Sequence, residues 1–217
     1  MIKLYVDDAI SLVRKNMDEV DSGADMMLVE PSATALDEVI SRTIPEAVNI
    51  VNRQAPVSLL EGSEIPGAAK QLVTANDIYA TKLSPANSLR LLRVKANDSD
   101  YIVTTTVLAD SPEGRMQLNS YTCGRSDHPV VVEHPDGTYM YYSHNSNQGT
   151  LPVAYHMPLC ELESGALYGV DVSPSRKYYL VSTRVKDDIV RRLTALVLNI
   201  YGLTEKAKLF ITAVSNE

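Results

Sequence analysis

The sequence contains few of the residues that mark secreted or membrane proteins. Of its 217 residues, two are cysteine, one is phenylalanine and none is tryptophan. Two cysteines, Cys123 and Cys160, are too few for a disulfide framework, so we expect free thiols in a reducing compartment. No apolar run approaches the ~20 residues that cross a bilayer, and the acidic N-terminus lacks the apolar core of a signal peptide. We therefore expect a soluble protein without a signal peptide.

Motifs for catalysis and metal binding are also missing. The chain has no G-x-S-x-G, P-loop or dinucleotide-binding fingerprint, and no closely spaced cysteine or histidine pair of the kind that holds zinc. Asp98 and Asp100 fall at the tip of a predicted hairpin, where acidic side chains are ordinarily solvated. The sequence therefore predicts no enzyme, no metal and no cofactor. We interpret the histidines as packing or surface residues: His128, His134, His144 and His156.

The negative charge is concentrated near the N-terminus. Residues 1–67 contain 12 acidic and five basic side chains, whereas residues 68–217 contain 15 of each. Because no basic stripe is present, we do not expect the chain to bind nucleic acid tightly. An acidic helix face is typically a solvated face. The alternative is a surface that repels DNA passing through a channel, and the candidate lumen-facing acids are then Asp18, Glu19 and Asp21.

Apolar residues recur at helical spacing at both ends of the chain. The spacing predicts helices over residues 5–20, 186–201 and 204–214, and another that begins at an N-cap, Ser32 or Thr34, and ends at about residue 54. Because Pro45 lacks an N–H and its ring clashes with the preceding turn, we expect a kink or two shorter helices there. Gly202 stands where a glycine commonly ends a helix.

Between the two ends, apolar and polar residues alternate, as they do in β-strands. The candidate strands are rich in β-branched and aromatic residues and are bounded by turn residues. They are residues 57–60, 78–82, 89–96, 101–108, 130–133, 139–143, 153–157, 166–170 and 177–185. Two hairpins are expected, one turning at residues 97–100 and one at Asp136 and Gly137.

Together these patterns predict an α+β protein. Helices from both termini form one helical bundle, and a central β-rich antiparallel insertion interrupts it. The predicted limits are residues 1–56 for the N-terminal helices, 57–185 for the insertion with its long loops, and 186–217 for the C-terminal helical hairpin that completes the bundle.

Tyrosine is unusually frequent, with 12 residues. Tyr139, Tyr141 and Tyr142 share one predicted strand. Because tyrosine combines a large apolar area with a polar tip, it suits a surface that is buried against a partner yet stays partly wet. A half-buried sheet face or a glycan-stacking surface would show the same pattern.

The order of elements resembles that of head-to-tail connector, or ring, proteins of tailed bacteriophages, in particular phages of gut Bacteroidetes such as the crAss-like group. The likeness lies in the terminal helical pair at 190–202 and 205–208 and in the segments 117–125 and 128–132. It implies a non-enzymatic structural virion protein, made in the bacterial host cytoplasm and located at the head–tail junction. It also implies a homo-oligomeric ring, commonly of about twelve subunits. Such a ring contacts the portal and neighbouring tail or ring proteins, has no membrane partner, and lets DNA pass without sequence-specific binding.

Loop-rich segments that cannot build their own core usually become ordered against a partner. We therefore expect residues 60–69 and 112–129 to be the main contacts between subunits, with the strand at 139–142 as a second surface. The interface candidates are Leu60, Glu61, Gly62, Ile65, Arg115, Tyr121, Arg125, Tyr139, Tyr141 and Tyr142.

Two other interpretations stay open. The chain could be a carbohydrate- or protein-binding β module on a helical stalk, or a hydrolase whose site is assembled only in the fold. A mass measurement would separate a ring from a monomeric module, whereas a deep pocket with convergent acids of perturbed pKa would favour the hydrolase.

Overall fold

The computed structural model describes residues 1–21, 33–75, 78–96, 101–143, 151–165 and 176–211. The α-helices are α1 (Val6–Asp21), α2 (Ala33–Gln54), α3 (Pro112–Met116), α4 (Lys186–Ile200) and α5 (Thr204–Ile211). The strands are β1 (Ile2–Tyr5), β2 (Ser63–Glu64), β3 (Lys70–Ala75), β4 (Ile78–Leu83), β5 (Ser88–Lys95), β6 (Ile102–Val103), β7 (Val107–Leu108), β8 (Val130–Glu133), β9 (Tyr139–Tyr142), β10 (Val153–Pro158), β11 (Glu163–Gly165) and β12 (Arg176–Val181). Within these residues, every helix is too short or too polar to cross a membrane.

The chain folds as two compact units. Met1–Glu61 and Cys160–Glu217 form the first, here called the terminal unit, and Gly62–Leu159 form the second, the inserted unit. The α+β class is thus confirmed. The predicted limits after residues 56 and 185 differ from this division, because β11 and β12 belong to the terminal unit rather than to the insertion.

The terminal unit is not the helical bundle that the sequence predicts. It contains a three-stranded antiparallel sheet, sheet A, with the strand order β1-β12-β11. Ile2 lies opposite Val181 and Tyr5 opposite Tyr178. The bundle prediction fails here because the apolar residues of β1 run directly into the helical pattern of α1, which conceals a four-residue strand.

One apolar core joins sheet A to the helices of the terminal unit. Its almost fully buried members come from β1, β12 and the helices α1, α2, α4 and α5: Leu4, Ala9, Val13, Ile40, Ile44, Ala47, Val48, Val181, Ile189, Leu193, Leu198 and Ala207. α2 is a single helix with Pro45 inside it, so the predicted division into two helices is wrong. Ile44 and Ala47 are buried on either side of the proline, and this packing stabilises a helix that its own propensity would interrupt. After α4, Gly202 has a φ of +78°, as expected of a helix-ending glycine.

The inserted unit contains two sheets that share a core. Sheet B has the order β2-β10-β5-β6, and sheet C has the order β3-β4-β9-β8-β7. All pairs are antiparallel except β7 with β8. The shared core combines residues of both sheets: Ile65, Leu91, Val94 and Ala154 from or beside sheet B, and Leu83, Val131, Tyr139 and Tyr141 from sheet C.

Most of the predicted strands of this unit are confirmed. β4, β5, β8, β9 and β10 match their predicted ranges within one residue at each end. The hairpin between β8 and β9 is confirmed as well. Its Gly137 has a φ of +77°, and the N–H of His134 donates to the carbonyl of Thr138 at 2.9 Å.

The remaining strand predictions fail in different ways. Residues 57–60 contain a 3₁₀ turn, Val57–Leu59, instead of a strand. The predicted strand 101–108 is divided into β6, which pairs with sheet B, and β7, which pairs with sheet C. β3 was not predicted at all. The turn at residues 97–100 and the predicted strand at 166–170 lie outside the described residues.

Candidate interaction surface

An ordered segment of the inserted unit exposes an unusual number of large apolar side chains. We call residues 101–129 the outer segment. Leu118 is 70% exposed and Tyr121 is 86% exposed. Four further large apolar side chains of the segment are exposed: Tyr101, Ile102, Leu108 and Met116. Surface apolar residues scattered singly need no explanation, but six large ones within one segment make it the candidate interaction surface.

The beginning of the outer segment is fixed by both sheets. Ile102 lies opposite Lys95 of β5, whereas Val107 lies opposite Val132 of β8. The hydroxyl of Thr106 donates to the Glu133 carboxylate at 2.9 Å. The segment therefore leaves sheet B and joins the edge of sheet C within a few residues.

The short helix α3 follows because its sequence has good capping residues. Ser111 is the N-cap, and its hydroxyl oxygen accepts from the N–H of Gly114 at 3.0 Å. Pro112 occupies the first helical turn, where its missing N–H costs no hydrogen bond. A Cβ at position 114 would stand 2.1 Å from the carbonyl oxygen of Leu108, so only glycine allows this approach.

The inner side of the outer segment covers sheet C. Cys123 is buried with Ile78, Ala80, Val132 and Tyr142 in a small apolar cluster. Gly124 is buried beside it, and a Cβ there would stand 2.6 Å from the carbonyl oxygen of Tyr142. This close contact holds the segment against the sheet while its other side chains stay in solvent.

Hydrogen bonds within the segment fix the turns that carry Leu118 and Tyr121. The Gln117 side chain accepts from the N–H of Gly124 at 2.7 Å and donates to the carbonyl of Glu113 at 3.0 Å. The Asn119 side chain accepts from the N–H of Tyr121 at 2.9 Å. The apolar side chains are therefore presented by a backbone with its own internal bonding, which is a preorganised surface.

Three of the predicted interface residues lie on this surface. Arg115, Tyr121 and Arg125 are all exposed on the outer segment. Leu108 was not predicted, and Met116 and Leu118 were not singled out within the predicted contact segment 112–129. The signal that could have found them is the uncharged run over residues 101–109, followed by apolar residues in a segment too irregular to bury them.

Three predicted interface tyrosines are instead buried, so they are removed from the candidate surface. Tyr139 and Tyr141 point into the core shared by the two sheets, and Tyr142 packs beneath the outer segment. Burial raises the pKa of both Tyr139 and Tyr142. The physical reason is that both faces of sheet C are covered, so alternation along β9 leaves no side chain of this strand exposed.

Among the predicted contacts at residues 60–69, one is corrected by burial. Ile65 is completely buried in the core of the inserted unit. Leu60 packs against the core of the terminal unit, and the N–H of Glu61 donates to the Ser182 hydroxyl at 2.8 Å. Gly62 is partly buried, and a Cβ there would stand 2.6 Å from the carbonyl oxygen of His156. Burial therefore removes Ile65 from the candidate surface, whereas Leu60, Glu61 and Gly62 are partly exposed and stay predicted contacts.

Of the candidate lumen-facing acids, Asp18 is exposed on α1. The side chains of Glu19 and Asp21 lie outside those that the structure describes. Their role in facing DNA stays a prediction.

The nucleophilic and metal-binding residue types are dispersed. Across the described ranges, no group of three or more His, Cys, Asp or Glu side chains is placed to hold a metal ion. Both cysteines are free thiols, and burial raises the pKa of Cys160 to about 12. His156 is buried, and this burial lowers its pKa. His128 is exposed, whereas His144 lies outside the described residues.

Comparisons with known proteins do not extend this picture. A scan of the chain against protein-family models gives no match, and a search of curated protein sequences finds no significant relative.

Proposed function

We propose that this chain is a structural subunit of an oligomeric head-to-tail connector ring in a tailed bacteriophage, through which the phage DNA passes. Its role is to bind further copies of itself, the portal and neighbouring ring or tail proteins. The proposal joins the resemblance of the sequence to connector proteins with one structural observation, the exposed apolar surface of the outer segment.

That surface is suited to contact with protein. The exposed Leu118 and Tyr121 supply apolar area, and Arg115 and Arg125 are exposed on the same segment. Tyrosine and arginine are enriched in protein interfaces, where they combine large contact areas with directed hydrogen bonds. Since the segment is already held by its own hydrogen bonds, little ordering entropy is lost when a partner binds.

The carbohydrate-binding alternative loses its main support. It depended on tyrosines at 139–142 that would stack against sugar rings, and Tyr139, Tyr141 and Tyr142 are buried within the subunit. A glycan cannot reach them without unfolding the sheet.

The function is tested in virions of the phage that encodes this chain. Mass spectrometry of purified virions should detect the chain, and immunogold labelling should locate it at the head–tail junction. Heads purified without connectors and tails serve as the matched control and should lack it. Absence of the chain from virions, or labelling spread over the capsid surface, would overturn the proposal.

A further inference from the structure

Strand β3 forms an outer edge of sheet C, and among the described residues no strand covers its outer side. It pairs with β4 without a bulge over six residues, from Lys70 opposite Leu83 to Ala75 opposite Ile78. An edge strand presents a row of backbone N–H and C=O groups to which another strand can bond. The length and regularity of β3 therefore suit it to receive a further strand.

The register determines which backbone groups of β3 point outward. The N–H of Ser84 donates to the carbonyl of Ala69 at 2.8 Å, just before the strand. In an antiparallel pair, every second residue directs both of its backbone groups to the neighbouring strand. Leu72 and Thr74 therefore direct theirs away from β4. Within the part of the chain that the structure describes, these outward groups have no hydrogen-bond partner.

Lys70 contributes neither a charge nor a donor to this open edge. Natural proteins commonly place an exposed lysine on an edge strand to prevent pairing with another chain. The Lys70 side chain, however, is only 5% exposed, and its Nζ lies 3.5 Å from a carboxylate oxygen of Glu64. Its backbone N–H donates to the carbonyl of Gly67. The exposed part of the edge is therefore uncharged, and Leu72 on it is 52% exposed.

The open edge is complementary to itself. Around a two-fold axis at Val73, Leu72 of each strand lies opposite Thr74 of the other, and each of these pairs exchanges two N–H···O=C bonds. All the outward groups of both residues are then used. An axis at Leu72 would instead leave the Thr74 carbonyl facing the Lys70 N–H, which is already bonded. Because residues 71–75 carry no charge, identical strands meet without like-charge repulsion.

We infer that β3 of one copy pairs with β3 of a second copy about a two-fold axis at Val73, so that their two C sheets become one continuous sheet. The two Val73 side chains are then cross-strand neighbours, directly opposite each other. This inference goes beyond the proposed function. A two-fold contact relates copies of opposite orientation, so it is additional to the contacts between members of one ring, which all point the same way.

Disulfide trapping tests the contact in the full-length chain. Facing residues that share no hydrogen bond have Cα atoms about 4.5 Å apart, within the range that a disulfide spans. Val73→Cys alone should therefore form a crosslinked dimer under mild oxidation. Gln71→Cys is the control, because its two copies are offset by about 14 Å along the strands. It carries the same native thiols and should stay monomeric on a non-reducing gel.

A mixed pair checks the register. Gln71 of one copy lies opposite Ala75 of the other, and both positions are exposed. An equimolar mixture of Gln71→Cys and Ala75→Cys should crosslink, whereas Ala75→Cys alone should not. This mixture decides the question if circular dichroism shows that Val73→Cys is unfolded. Absence of a crosslink from the folded variants, or equal crosslinking of Gln71→Cys with itself, would overturn the inference.

A charged variant tests the edge itself. In the pair, Leu72 and the same residue of the second copy are diagonal neighbours, so Leu72→Lys brings two like charges close together. Added to Val73→Cys, it should reduce the crosslinked fraction by roughly fivefold. Leu180→Lys in the same background is the matched control, since Leu180 is also exposed but lies on β12. Equal crosslinking of the two double variants would contradict the inference.

The two proposals can fail separately. A chain that is located at the head–tail junction but gives no crosslink at position 73 would retain the proposed function and overturn this contact. A chain that crosslinks at position 73 but is absent from virions would retain the contact and overturn the function.

Discussion

The side-chain oxygen of Gln117 accepts a 2.7 Å hydrogen bond from the backbone N–H of Gly124, and both residues are buried. This bond joins the two ends of the turns that present Leu118 and Tyr121. It therefore connects the buried side of the outer segment with the surface that we propose for partner binding.

We expect Gln117→Ala to reduce the free energy of unfolding by roughly 1–3 kcal/mol, because it leaves the buried N–H of Gly124 without its acceptor. Urea unfolding monitored by circular dichroism measures the change. Gln54→Ala, at an exposed position at the end of α2, should change stability by no more than about 0.5 kcal/mol. Equal stabilities for the two variants would contradict the role given to the Gln117 bond.

Substitution of Leu118 and Tyr121 should weaken partner binding without unfolding the subunit. For Tyr121→Ser we expect a loss of about 2 kcal/mol, or roughly 30-fold in Kd, as for a central interface residue. Sedimentation with the neighbouring ring proteins measures the binding. Leu209→Ser is the control, since Leu209 is exposed on α5 and lies outside the candidate surface. Unchanged binding by Tyr121→Ser would exclude this residue from the interface.

Tyr141→Ala should act through stability, because Tyr141 is almost completely buried in the core between the sheets. Replacement of a buried aromatic residue by alanine costs about 3–5 kcal/mol. The exposed Tyr121→Ala variant should change stability by less than about 0.5 kcal/mol. Thermal unfolding of the two proteins gives the comparison, and a stable Tyr141→Ala protein with impaired assembly would restore Tyr141 to the interface.

Acid should destabilise the inserted unit through His156. Burial lowers the pKa of this histidine, so the unfolded chain binds its proton more readily than the folded protein. The pKa of this histidine in the unfolded chain is about 6.5. The stability that neutral His156 contributes is complete above that pH and is lost as the pH falls below it. Urea unfolding between neutral and mildly acidic pH should show a smaller loss for His156→Leu than for the unmodified chain. His128→Gln, at an exposed site, should retain the full loss; an unchanged pH dependence in His156→Leu would contradict this assignment.

The native thiols should react slowly. Burial raises the pKa of Cys160 to about 12, and Cys123 is buried beneath the outer segment, so little thiolate is accessible at neutral pH. Alkylation with iodoacetamide, followed by mass spectrometry, should label neither cysteine in the folded protein and both in urea. Rapid labelling of Cys160 without denaturant would show that its environment opens in solution.

Helices and strands are predictable where a regular spacing of apolar residues extends over the whole element. The helices α1 and α4, and the strands β8 and β9, follow directly from apolar spacing and turn residues. β1 was not predicted because four residues are too few to show an alternating pattern, and the helical pattern of α1 begins directly after them. β12 belongs to sheet A because it pairs with Ile2–Tyr5, which lie near the other end of the sequence. A local sequence pattern cannot indicate a pairing between residues so far apart.

The candidate surface was predictable only in part, for a related reason. The irregular composition of residues 112–129 correctly indicated a segment that exposes Tyr121. The tyrosines of β9 were assigned to the interface because tyrosine combines a large apolar area with a polar tip. Tyr139 and Tyr141 are buried by sheet B and Tyr142 by the outer segment, and the sequence of the strand contains neither of these tertiary contacts.

Native mass spectrometry of the purified, unmodified chain, alone and mixed with its neighbouring virion proteins, tests the central claim most directly. The ring account predicts one discrete species whose mass is an integral multiple of the 23.8 kDa subunit. A protein that stays at the subunit mass at every concentration and in every mixture would contradict it.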